Sequence, residues 1–312
     1  MSSDTGSAIS WKHLIALIGG AVLIAFAPIF AVLSKTVGGV GMLDAAFWRV
    51  LIGGVTAGCF AIPMGQALGR GDVRIGPWIW APGFFFAGDF AVWHISFDHT
   101  SVANSTLLAN FQIVVVTVFA WWMWKEKISR LFVIGATVAM LGLVLLLHSS
   151  ATSDAKIREG AIPLLGDALG LATAFFYGSY LLTIKRYRRD LPVPTLMFWG
   201  GIVAAAFLAP VLIVCHAVWG HSNGNFFPTS LVGWLPLIGM GVISHAGGQG
   251  LIAFSLKGLP ASVASITLLI QPVCTAFLGA VLLGQSLAAV QILAASLVLG
   301  GLAIAIRGQV RG

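Results

Sequence analysis

Two ionisable side chains stand where hydrocarbon is expected. Arg49 interrupts the apolar stretch AAFWRVLIGG (45–54), and Asp89 interrupts FFFAGDFAVWHIS (84–96). A guanidinium cannot lose its proton in a protein, so Arg49 needs an acid or water beside it. If both stretches are helices entering and leaving the same membrane face, Arg49 lies ~9 Å and Asp89 ~12 Å below that face at the helical rise. The shared depth predicts an Arg49–Asp89 ion pair facing the bundle interior. The alternative is that Arg49 reaches the headgroups alone along its flexible stem.

Other polar and aromatic groups gather on helical faces. Asp89 and Trp93 are four residues apart, flanked by Phe86 and Phe90, with His94 one step round. Thr106 and Asn110 share a face, as do Tyr177 and Tyr180, and Phe26 and Phe30. Gly241, His245, Gly248 and Gln249 form a small-and-polar stripe, and Thr267 and Gln271 lie four apart further on. Intramembrane polar groups are costly and tend to mark pathways. Aromatic walls with a few hydrogen-bonding groups suit a modest amphipathic solute with an apolar or aromatic part. They do not suit phosphate, which would call for several Arg or Lys. Plain interhelical packing explains any single one of these residues equally well. Asp89, His94 and His245 are candidate proton carriers, and facilitated diffusion fits as well. Pro28, matched by Gly178, and Pro272, beside Gln271, are candidate hinges; static kinks are the other reading. Asp167 reads first as a helix cap.

Several chemistries lack their residues. No His-Glu-x-x-His helix, Cys–His cluster, phosphate-binding glycine loop, mid-span lysine or ring of charge is present. The sequence therefore predicts no enzyme, no metal and no cofactor. Cys59, Cys215 and Cys274 lie in or beside apolar runs and imply no disulfide framework.

The elements that must position these groups are membrane helices. Of 312 residues, 58% are hydrophobic and 9% charged, with a mean hydropathy of +0.97. A soluble domain carries about 25% charged residues. A membrane β-barrel would show segments of about ten alternating residues, which these continuous runs do not resemble. The runs fall near 13–33, 43–65, 77–97, 101–123, 129–148, 165–184, 193–216, 231–256, 261–283 and 287–306, predicting ten spans. Trp11, Trp78, Trp80, Trp121, Trp122, Trp124, Trp219 and Trp234 gather at their ends as an aromatic belt. The net charge of +7 reflects loops rather than nucleic-acid binding. Lys12, Arg70, Arg74, Lys125, Lys127, Arg130, Lys185, Arg186, Arg188, Arg189, Lys257, Arg307 and Arg311 fall on one side, against Lys35, Lys156 and Arg158 on the other. The positive-inside rule then places both termini in the cytoplasm, in a multi-pass inner-membrane protein.

The chain also repeats itself. SVANSTLL (101–108) matches SVASITLL (262–269) at six of eight positions, and FWR (47–49) lies opposite FWG (198–200). Gly20, Phe26, Phe30 and Lys35 fall opposite Gly170, Phe176, Tyr180 and Lys185. Five spans per half force the second half to sit inverted, so the fold class expected is an all-α polytopic membrane protein of two inverted five-helix repeats, 13–148 and 162–306. Inverted repeats typify secondary transporters with a substrate site between the halves; a duplicated scaffold that does not transport is the other reading. FWRVLIGG, the stretch from Asp89 through WKEKIS (124–129) and LKGLPASVASITLLIQPVCTAFLGAVLLGQSL (256–287) resemble the drug/metabolite transporter superfamily with two EamA domains. That resemblance implies export of amino acids, other metabolites or drugs by alternating access. Some members resemble aromatic amino-acid exporters, and the aromatic-rich spans lean that way. The expected substrate is a neutral or aromatic amino acid; the alternative is a multidrug exporter of cationic compounds. The expected partners are the small-molecule substrate and the bilayer, with the proton as a candidate coupling ion; oligomeric state stays open. Where the second repeat of the family often carries Gly-Glu, this chain reads Gly284-Gln285, while the first repeat keeps Glu126.

Overall fold

The computed structural model of the protein describes residues 10–64, 78–150, 162–219, 224–284 and 287–311. Arg70, Arg74, Lys156, Arg158 and Gln285, singled out above, lie outside them. The described chain is helical: α1 (Trp11–Gly38), α2 (Met42–Ala61), α3 (Trp80–Ser96), α4 (Val102–Ala109), α5 (Gln112–Trp124), α6 (Arg130–Ser150), α7 (Pro163–Tyr187), α8 (Val193–Trp219), α9 (Trp234–Gly239), a π-helical segment (Met240–Gln249), α10 (Gly250–Ser255), α11 (Ala261–Thr267), α12 (Ile270–Leu283) and α13 (Ala289–Arg311). A lone parallel bridge joins Val40 and Asn225. Counting α4–α5, α9–α10 and α11–α12 as one span each, nine helices among the described residues are long and apolar enough to cross a membrane. At 17 residues, α3 is shorter than these.

Local chemistry sets the breaks. The first helix ends where Gly39 turns left-handed (φ 66°), its amide bonding the Lys35 carbonyl. Ser101 caps α4 by accepting from the Asn104 amide at 3.1 Å. That span is interrupted at Asn110–Phe111, and the α11–α12 span at Leu268–Leu269. The two SVA-containing segments thus open two similarly broken spans. Pro272 falls in the first turn of α12, where a missing N–H costs little. Pro28 lies inside the unbroken α1, and the nearby Leu23 and Ala25 carbonyls accept hydroxyls from Ser244 (3.0 Å) and Thr275 (3.2 Å).

Packing follows small residues. α6 lies along α13, where a Cβ on Gly135 or Gly301 would overlap the backbone of the opposite helix. α2 lies along α8, with Gly54 against Gly201. α7 packs on α3, α4 and α5; α1 packs on the π segment, α10 and α12. In this arrangement α2 contacts α8 and the π segment far more than α3, although α2 and α3 are sequence neighbours.

Candidate functional site

Four elements meet at one cluster: α2 supplies Arg49, α3 supplies Phe86, Asp89, Phe90, Trp93 and His94, α7 supplies Tyr177 and Tyr180, and the π segment supplies His245 and Gln249. Phe86 is the hub. Its ring stacks on Tyr180 at 4.3 Å and 13°, packs on Phe90 at 4.7 Å and faces the His245 ring at 5.5 Å. Phe90 carries the Arg49 guanidinium over its face, 5.1 Å from the ring centre. Tyr180 stacks on Tyr177 and donates its hydroxyl to Gln249 Oε1 at 3.4 Å. Close approach is arranged by glycine, since a side chain on Gly53 would overlap the His245 ring.

The polar groups here are incompletely satisfied. Arg49 is 8% exposed and His245 2%, yet Arg49 Nε and His245 Nδ1 have no hydrogen-bond partner; nor does the buried Nε1 of Trp93. Orphaned buried polar atoms are rare in folded proteins and call for an explanation. Asp89, Trp93, His94 and Tyr177 retain accessible surface although protein surrounds them. His94 Nδ1 bonds the Phe90 carbonyl at 2.7 Å. The same histidine lines a cavity of about 140 Å³, with Lys35, Asp44, Asp98 and His216 around it, at the end holding the α1–α2 connection. In that cavity wall Asp44 pairs with His216 at 2.8 Å.

A profile of the EamA-like transporter family matches residues 11–148 and again 164–307. The chain belongs to the EamA-like transporter family. A solute carrier family 35 profile also matches residues 86–216. The chain is similar to the riboflavin transporter ImpX of Fusobacterium nucleatum subsp. nucleatum, 22% identical over 67% of each chain. It is likewise similar to an uncharacterized transporter of Clostridium kluyveri, 24% identical over 61% of this chain and 58% of that one. A crystal structure 17% identical superposes with a TM-score of 0.76 over 98% of both chains, which supports the fold.

The geometry redistributes several expected site residues of this EamA-like transporter. The direct Arg49–Asp89 ion pair is not made. The ion pairs within 4.0 Å among the described residues are Lys185–Glu126, Arg186–Asp190 and His216–Asp44. Arg49 and Asp89 act on each other only through space, because α2 turns toward α8 and the π segment rather than lying along α3. Phe26 stacks on Phe30 at 6.1 Å, and Phe30 joins a separate cluster with Trp48, Trp234 and Met240. Asn110 Nδ2 bonds the Thr106 carbonyl at 2.8 Å and Thr267 Oγ1 bonds the Val263 carbonyl at 2.7 Å, each within its own span. Gln271 is half-buried one residue after α12 begins, and Gly178 packs against Val115. Asp167 is not a cap on its own helix: its carboxylate accepts from Thr100 at 3.0 Å and from Asn104.

Sequence reasoning missed a second polar centre in the transporter. Glu126 accepts from the amides of Ala261 (2.7 Å) and Ser262 (3.2 Å) and from the Ser262 hydroxyl (3.0 Å), capping α11 from the connection between α5 and α6. Lys185 pairs with it at 3.6 Å and donates to the Leu259 carbonyl at 2.5 Å. Gln309 closes the latch, donating to the Lys127 carbonyl and accepting from the Ser129 amide. Gln112, also missed, is buried and donates to the Ser265 carbonyl at 3.1 Å, tying α5 to α11.

Proposed function

We propose that the protein is a secondary exporter of neutral, preferably aromatic, amino acids, working by alternating access through a cavity between two inverted five-helix repeats. The observation that carries this reading is the Phe86–Phe90–Tyr180 cluster with unfilled polar atoms at its edge. Stacked rings offer an apolar berth, and the orphaned nitrogens offer a few directed contacts, as a small-molecule site requires. The similar packing of α1 and α7, and the two broken spans, support the repeat. Counting α3 as a full crossing gives ten spans. Asp89, His94 and His245 are the groups on which a coupling proton would ride. Pro28 with its hydroxyl-held carbonyls, Gly178 and the Leu268–Leu269 break beside Pro272 are the places where spans would flex.

Cells expressing the protein should survive about tenfold higher concentrations of toxic phenylalanine or tryptophan analogues than cells carrying an empty vector. Resistance confined to cationic dyes would favour the multidrug reading. Flux of riboflavin alone into proteoliposomes would instead give the chain the substrate that its relative's name carries.

The topology is tested separately. With both termini and the 185–192 loop in the cytoplasm of an inner-membrane protein, a C-terminal reporter active only in the periplasm should stay dark, and one placed after Gly39 should light. The reverse pattern would overturn the orientation.

A further inference from the structure

We infer that Arg49 is the carboxylate anchor of the site and that Asp89, held apart from it, receives the ammonium, so the substrate is read as a zwitterion. The inference rests on the amino-acid reading above and adds how specificity is set. Arg49 is more than nine-tenths buried, cannot neutralise itself, and has neither an ion pair nor a partner for Nε. Its face rests on Phe90, which orients the guanidinium but leaves its in-plane donors free. A planar fork of that kind recognises carboxylates in two-point fashion.

The spacing makes the difference between glue and a site. Had Asp89 closed on Arg49, each would have consumed the other's charge. Held beyond 4.0 Å of each other yet near enough to interact through space, both stay open to a ligand's charged ends. A zwitterion bridging them satisfies both. Its side chain then meets the Phe86–Tyr180 stack, and His245 Nδ1 remains to orient it.

The test uses the full chain in nanodiscs, titrated with three probes: phenylalanine, 3-phenylpropionate (no ammonium) and phenethylamine (no carboxylate). Arg49→Gln should weaken phenylalanine and 3-phenylpropionate about ten- to hundredfold, the loss expected for a hydrogen bond to a charged group, and leave phenethylamine within about twofold. Asp89→Asn should do the converse, sparing only 3-phenylpropionate. Arg49→Lys should keep part of the carboxylate binding, since charge survives and the fork does not. Equal weakening of all three probes by Arg49→Gln would make Arg49 structural and overturn the inference. Arg49-dependent binding of 3-phenylpropionate without phenylalanine transport would leave the anchor standing and defeat the amino-acid reading. Phenylalanine transport indifferent to Arg49→Gln would do the opposite, and no binding of any probe would defeat both.

Discussion

Glu126→Ala should lower the melting temperature of the detergent-solubilised transporter by about 10 °C and cut its folded yield severely. One carboxylate holds two amides and a hydroxyl at the start of α11, and it neutralises a lysine whose side chain is 14% exposed. Removing one member of a buried pair strands the other, commonly at a cost of about 3–5 kcal/mol, and each kcal/mol shifts the midpoint by roughly 2–4 °C in a chain of this size class. Lys185 has one other acceptor, the Leu259 carbonyl, which cannot balance its charge. Glu126→Gln keeps an acceptor for one amide and should fall between the two. Pairing Glu126→Gln with Lys185→Met should recover much of the loss, because no uncompensated charge then remains. A midpoint within about 2 °C of the parent for Glu126→Ala would show that the latch contributes nothing.

Arg49→Leu should act in the opposite sense on stability and abolish transport. A partner-bound arginine is a support; a guanidinium with no partner is a burden the fold carries. Placing Arg, Lys or Asp mid-membrane costs about 2.5–3.5 kcal/mol on insertion scales, so Leu at position 49 should raise the melting midpoint by several degrees. The through-space attraction to Asp89 offsets little of this, since a carboxyl group left alone can take a proton. On the proposed amino-acid reading, transport of phenylalanine should fall at least about a hundredfold. A sharp drop in folded yield, rescued by adding Asp89→Asn, would instead restore the direct ion pair that the sequence suggests. Stability and activity moving apart is the mark of a residue kept for its ligand.

The membrane class, the positions of the long helices and most of the aromatic cluster were readable from sequence. Phe86, Phe90, Tyr180, His245 and Gln249 were each singled out by helical spacing, and the fold brings all of them together. What spacing cannot convey is which helices become neighbours. Arg49 and Asp89 share a depth, but depth is one coordinate of three, and α2 spends its small-residue face on α8. Phe30 misses the site for the same reason: its ring lies against Gly239 and packs on the cluster that includes Leu237 and Met240. Asn110 and Thr267 lie on the right spans but their side chains bond carbonyls within their own spans. Glu126 looked like a family feature of unstated purpose because the amides it binds lie 135 residues away. The π segment leaves no trace in hydrophobic periodicity, although such windings recur at functional sites.

The seam between α6 and α13 decides where the molecule can yield. Backbone lies on backbone at Gly135 and Gly301, and Gly142 repeats the approach against Val298. Ridges that close leave no slack for sliding, because a shift of one methyl's width already meets main-chain atoms. The final helices of the two halves therefore behave as a rivet, and neither lends a side chain to the aromatic cluster. Whatever motion transport requires is therefore expected at the interrupted spans and the π segment rather than at this seam.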